Sequence, residues 1–120
     1  MNPQDLQNRT KEFTLRIMKL SSFLEKDSLG RLIGRQIFRS GTSVAANYRA
    51  ACKSKSLKDF ISKLGIVVEE ADETSFWLEL LKDSKTIATD KIDALLKESK
   101  EITAIMVASR SSAIKNQRAK

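Results

Sequence analysis

Apolar residues recur every three or four positions in four separate segments of this chain, and each recurrence predicts an amphipathic helix. Leu6, Phe13, Ile17, Leu20 and Leu24 define the first, roughly residues 3–25, with Pro3 in the first turn, where its missing backbone donor costs little. The break "EKDSLG" offers Asp27 or Ser28 as the cap of the next helix. That second helix carries Leu29, Leu32, Ile33, Gln36, Ile37, Ser40, Val44, Asn47 and Ala51 on one side. After "SKSLKD", where Ser56 and Asp59 resemble a capping box, Leu57, Phe60, Leu64, Val67, Ala71, Leu78 and Leu81 mark a third helix over about residues 57–83. "DSKTIATD" connects to a fourth, capped by Thr89 or Asp90 and carried by Ile92, Leu95, Leu96, Ile102, Met106 and Ala113 to about residue 115. The polar, basic stretch 115–120 is expected to fray. No strand alternation and no internal repeat is found.

Four long helices on short connections are best satisfied by an all-α, antiparallel, up-down-up-down four-helix bundle, with residues 1–120 as one domain. The period runs without a phase jump through "RSGTSVAANY", residues 39–48, which a loop would not preserve. Gly34 and Gly41 each cost about 1 kcal/mol against alanine in a helix, so close backbone approach is the simplest compensation. Ser40, Thr42 and Ser43 are then helix-packing residues and not the donors of an anion-binding loop with Arg39.

Beyond the stripe, the pattern holds more apolar surface than one bundle needs. Gly34, Phe38, Gly41 and Ala45 are read as turned away from the core on the second helix. Ile66, Trp77 and Leu80 project off the third, flanked by Glu70 and Glu73. Self-association explains these together. For Trp77 alone, covering the edge of the bundle is the alternative.

Composition narrows the chemistry. The chain has no histidine, which removes serine–histidine triads, imidazole zinc sites and the Glu-x-x-His pairs of carboxylate di-iron bundles. One cysteine, Cys52, excludes an internal disulfide framework. No apolar run approaches the ~20 residues that span a bilayer, and no signal-peptide region opens the chain. A cytoplasmic protein is expected. Ser112 and Lys115 match a Ser-x-x-Lys spacing without the rest of that catalytic set. Glu69, Glu70, Asp72 and Glu73 point in several directions on one helix and suit a salt-bridged surface better than a metal. Arg49 and Lys53 flank Cys52, but a lone cysteine late in a helix is ordinary packing. Neither enzyme activity, metal nor cofactor is expected.

Charge changes the picture most. The net charge is +7, and residues 1–58 hold 12 Lys/Arg against 4 Asp/Glu while residues 59–101 hold 6 against 11. Arg31, Arg35, Thr42, Arg49 and Lys53 share an arc of about 40° on the second helix, with Arg39 at its edge. Such a cluster suits RNA or DNA phosphates; pairing between basic and acidic surfaces of an oligomer, or simple solvation, are the alternatives.

"FRSGTSVAANYRAA", "DFISKLGIVVEEADETSFWLELL" and "LLKESKEITAIMVAS" resemble, in order and spacing, the bacterial four-helix-bundle proteins first noted as reading frames within intervening sequences of large-subunit ribosomal RNA. Ala46 stands where that family often has glycine, and Ala50 where it often has an acid. The resemblance implies a ring-like homopentamer. It also implies kinship with the accessory variability determinant of diversity-generating retroelements, a basic pentamer that binds nucleic acid and a reverse transcriptase. It carries over no catalytic residue. Arg39, Ser40, Gly41, Thr42, Ser43, Asn47, Glu70, Glu73 and Trp77 come across as structural or assembly positions. Two functions follow as expectations: nucleic-acid binding through Arg31, Arg35, Arg49 and Lys53, or a scaffold docking an acidic partner such as a reverse-transcriptase-like protein.

Overall fold

The computed structural model describes residues 1–85, 87 and 90–119. It consists of four α-helices, α1 (Pro3–Leu24), α2 (Ser28–Cys52), α3 (Leu57–Asp83) and α4 (Asp90–Ala119), packed as a bundle with no strand among the described residues. The caps fall where local chemistry puts them. Asn2 Oδ1 accepts from the Asp5 amide at 2.8 Å, Asp27 Oδ2 from Gly30 at 2.7 Å, and Ser56 Oγ from Asp59 at 3.1 Å. Asp59 does not close a capping box; its carboxylate meets Lys63 at 3.1 Å, one turn on. Thr89, the candidate cap of α4, lies outside the described residues, and Asp90 is the helix's first residue. At the other end α4 continues to Ala119 where fraying is expected, and its side chains are exposed from Lys115 on.

The core runs the length of the bundle, with Phe13, Ile17, Ile37, Leu64, Leu78 and Ile102 among its fully buried side chains. Two positions assigned to the α2 stripe do not belong to it. Leu29 and Leu32 are 48% and 62% exposed, while Gly30 and Tyr48 are buried in their place. Removing those leucines rotates the buried face of α2 toward α1. Gly34 and Gly41 are therefore not turned away from the core. A Cβ on Gly34 would lie 3.3 Å from Leu24 Cβ, and one on Gly41 would lie 3.0 Å from Ile17 Cγ1. Both glycines let α1 approach α2 within one subunit.

Buried polar groups join the helices. Thr74 Oγ1 lies 2.9 Å from Ser40 Oγ across α2 and α3, and Ser75 Oγ lies 2.7 Å from Ser99 Oγ across α3 and α4. Ser40 also reaches the Gln36 carbonyl and Thr74 the Glu70 carbonyl, so two hydroxyl protons serve three contacts. Thr74→Val keeps the shape and leaves Ser40 its carbonyl partner, so thermal melting should register a loss of only about 1 kcal/mol. On the far side Arg9 grips Glu98 with two bonds, at 2.9 and 2.7 Å, and tethers α1 to α4. The hydrogen bond to Glu98 is the main reason the Arg9 guanidinium is held more firmly protonated than usual.

Candidate nucleic-acid interface

"RSGTSVAANY" lies wholly within α2, and the polar groups of Thr42 and Asn47 are directed to the helix itself. Thr42 Oγ1 donates to the Phe38 carbonyl at 2.7 Å, and Asn47 Nδ2 donates to Ser43, reaching its carbonyl at 2.9 Å and its hydroxyl at 2.7 Å. With Gly41 against Ile17 and Ser40 against Thr74, the stretch is a packing surface and not an anion cradle.

The cations of α2 divide into two sets. Arg39 faces α3: its guanidinium meets Glu70 at 3.2 Å and also pairs with Glu73, whose carboxylate accepts from Trp77 Nε1 at 3.0 Å. Glu70 and Glu73 are thus engaged within the chain. Arg31, Arg35, Arg49 and Lys53 are all exposed, and none makes an ion pair among the described residues.

α1 contributes to the same side. Lys11 and Arg49 line one shallow recess with Gln4, Gln7, Asn8 and Ala45, while Arg35 shares another with Met18, Glu25 and Phe38. Sequence reasoning confined to α2 misses Lys11, because its placement depends on how α1 docks. A periodicity match between the polar sides of α1 and α2 is the signal that would have found it.

The remaining candidates take varied places. Ile66 and Leu80 are exposed on α3 and Phe38 on α2, as expected of surface apolar groups, while Ala45 is half-buried. Trp77 is half-buried against the core, so it covers the bundle's edge, and it meets the exposed ring of Phe76 edge-on at 5.1 Å. Phe76, Leu29 and Leu32 enlarge the exposed apolar surface beyond the residues that sequence reasoning named.

Chemistry is sparse. Among the described residues no group of three His, Cys, Asp or Glu side chains is placed to hold a metal, and Ser112 and Lys115 are both exposed on α4. Burial, then the hydrogen bond with the adjacent Cys52, pushes the Tyr48 phenol above its ordinary range. Among the described residues no helix is long and apolar enough to cross a membrane.

A small four-helix protein whose second helix exposes a set of cations that make no ion pair among the described residues is the class these features define. The chain belongs to the 23S rRNA-intervening sequence protein family, whose model matches residues 4–108. It is similar to a crystal structure from Bacteroides thetaiotaomicron, a protein of unknown function from the S23 ribosomal protein family. The two are 36% identical with a TM-score of 0.82, over 88% of this chain and 97% of that one. No curated protein matches the chain.

Proposed function

We propose that this protein is a non-enzymatic, cytoplasmic homo-oligomer that binds RNA or DNA phosphates, largely without sequence preference, through the basic face of α2. The observation that carries the reading is the division of cations: Arg39 is matched by Glu70 and Glu73, whereas Arg31, Arg35, Arg49 and Lys53 share one exposed side and make no ion pair among the described residues. Unmatched guanidinium groups repel one another, and phosphates relieve that repulsion.

In this reading neighbouring helices run antiparallel, up-down-up-down. Leu24, at the end of α1, meets Gly30 and Gly34, whereas the earlier Ile17 meets the later Gly41. Ile66, Phe76 and Leu80 with Leu29 and Leu32 supply the surface for self-association. A five-membered ring is what the family resemblance implies. Light scattering after gel filtration should return a multiple of the 13.5 kDa chain, and a monomer at micromolar concentration contradicts the assembly. For binding itself, two labelled single strands of unrelated sequence should bind with similar affinity at low salt. No binding of either one rejects the reading.

A second reading rests on Phe38 and Met18, which lie in the same recess as Arg35. An acidic protein segment with apolar anchors, such as one on a reverse-transcriptase-like enzyme, would use those groups where phosphates would not.

A further inference from the structure

A half-open groove of about 430 Å³ separates α1 from α4 near the end of the bundle where α1 stops and α4 begins. Leu20, Ala94 and Leu95 line it, and the Phe23 ring stands at its side, 50% exposed. Arg16 and Lys19 precede Phe23 by seven and four residues and so share its side of α1. Lys91 enters from α4, and its ammonium lies 5.9 Å from the ring centroid, with that of Lys26 at 5.6 Å. None of these four cations makes an ion pair among the described residues, and Asp90 is the one acid among the described lining residues.

An exposed phenyl ring costs free energy in water, offset in part by the Lys26 and Lys91 ammoniums over its face, while the four cations, none of them ion-paired among the described residues, repel one another. Neither serves the core, since Phe23 is not a buried residue of α1. An aromatic face ringed by cations matches what single-stranded nucleic acids need: a surface for an unpaired base and charges for the phosphates beside it. A peptide anchored by apolar side chains would gain little from a ring flanked by ammonium groups. The volume falls at the low end for small-ligand pockets and accommodates about one nucleotide.

We infer that an unpaired base of a single-stranded nucleic acid stacks on Phe23 in the α1–α4 groove, with its flanking phosphates on Arg16, Lys19 and Lys91. This rests on the nucleic-acid reading above and adds to it a preference for single strands.

The experiment is a fluorescence-anisotropy titration of a labelled RNA of about 12 nucleotides, single-stranded or as a duplex, against wild type, Phe23→Leu and Phe23→Trp. Phe23→Leu should weaken single-strand binding about tenfold without changing the salt slope, because no charge is removed. Phe23→Trp should retain the affinity, and duplex binding should be indifferent to both. Lys91→Gln, on the exposed first turn of α4, is an independent probe that should reduce the single-strand salt slope by about 0.7. Salt-dependent binding that neither Phe23→Leu nor Lys91→Gln alters overturns the base site while leaving the nucleic-acid reading intact. Failure of wild type to bind either RNA overturns both. An acidic, leucine-containing peptide bound by wild type and lost in Phe23→Leu, with RNA affinity unchanged, makes the groove a peptide site and also overturns the inference.

Discussion

Gly41→Leu should markedly lower the melting temperature of the subunit while leaving it folded at room temperature. A Cβ at this position would already lie 3.0 and 3.1 Å from Ile17 Cγ1 and Cγ2, and 3.4 Å from Cδ1. Ile17 is fully buried and β-branched, so it has almost no alternative rotamer into which to retreat. Overpacking of a tight core typically costs about 1–3 kcal/mol, and leucine adds three carbons beyond the Cβ that already collides. The gain in helix propensity returns only about 1 kcal/mol. Against a total stability of about 5–15 kcal/mol, that is a large loss. Gly41→Ala should be milder, since one methyl group suffers the clash and the propensity gain offsets part of it. Gly65→Ala should differ in kind, because its added methyl would meet Arg110 Nε at 3.3 Å and disturb that atom's hydrogen bond to the Ile61 carbonyl instead of a core carbon. Thermal melting followed by circular dichroism measures all three. Pairing Gly41→Leu with Ile17→Ala, which removes all three colliding carbons, should recover part of the lost stability; no recovery would mean the obstacle at Gly41 is something other than Ile17.

The second large effect is functional. Arg31→Glu, Arg35→Glu and Arg49→Glu together should lower RNA affinity at low salt by a factor of 100 or more, on the order of what several lost phosphate contacts cost. Helix content should not change, because all three side chains are exposed and none supports a neighbour through an ion pair among the described residues. Arg39→Glu should behave in the opposite way. It places a third carboxylate beside Glu70 and Glu73 and removes the group that holds Glu73 near Trp77. Its melting temperature should fall, modestly because the site is solvent-screened, while the salt dependence of RNA binding stays close to that of the wild type. Circular dichroism and anisotropy on the same preparations separate the two outcomes. A triple variant that binds like the wild type would leave the basic face without a role in RNA binding.

Much of the fold was legible because local rules governed it. Asn2, Asp27 and Ser56 cap where their side chains can reach the amide three residues on, and the 3.6-residue period found all four helices. The error on α2 came from reading polarity as burial. Leu29 and Leu32 are apolar but face outward, and counting them drew the inferred stripe toward α3. The same shift made Gly34 and Gly41 look peripheral, although they sit against Leu24 and Ile17. A glycine carries no apolar signal, so its side of the helix is known only once the partner helix is placed. Ser75 and Ser99 were missed for a related reason: each is polar alone and is buried because it has the other.

The candidate interface was legible where it lay on one helix and hidden where it crossed between two. Arg31, Arg35, Arg49 and Lys53 align by angle alone. That Glu70 and Glu73 serve Arg39 within the chain depends on the register of α2 against α3, which periodicity does not specify. Lys11 beside Arg49, and Lys91 beside Phe23, depend in the same way on how α1 docks.

The most direct test of the account is the slope of log affinity against log salt for single-stranded RNA. If the four unpaired cations of one α2 face each neutralise a phosphate, the wild-type slope should be about −2.8, at about −0.7 per contact. It should be steeper where the strand engages Lys11 or a second subunit, and much shallower in the Arg31→Glu, Arg35→Glu, Arg49→Glu protein. A wild-type slope near zero, or equal slopes for the two proteins, would contradict nucleic-acid binding through this face.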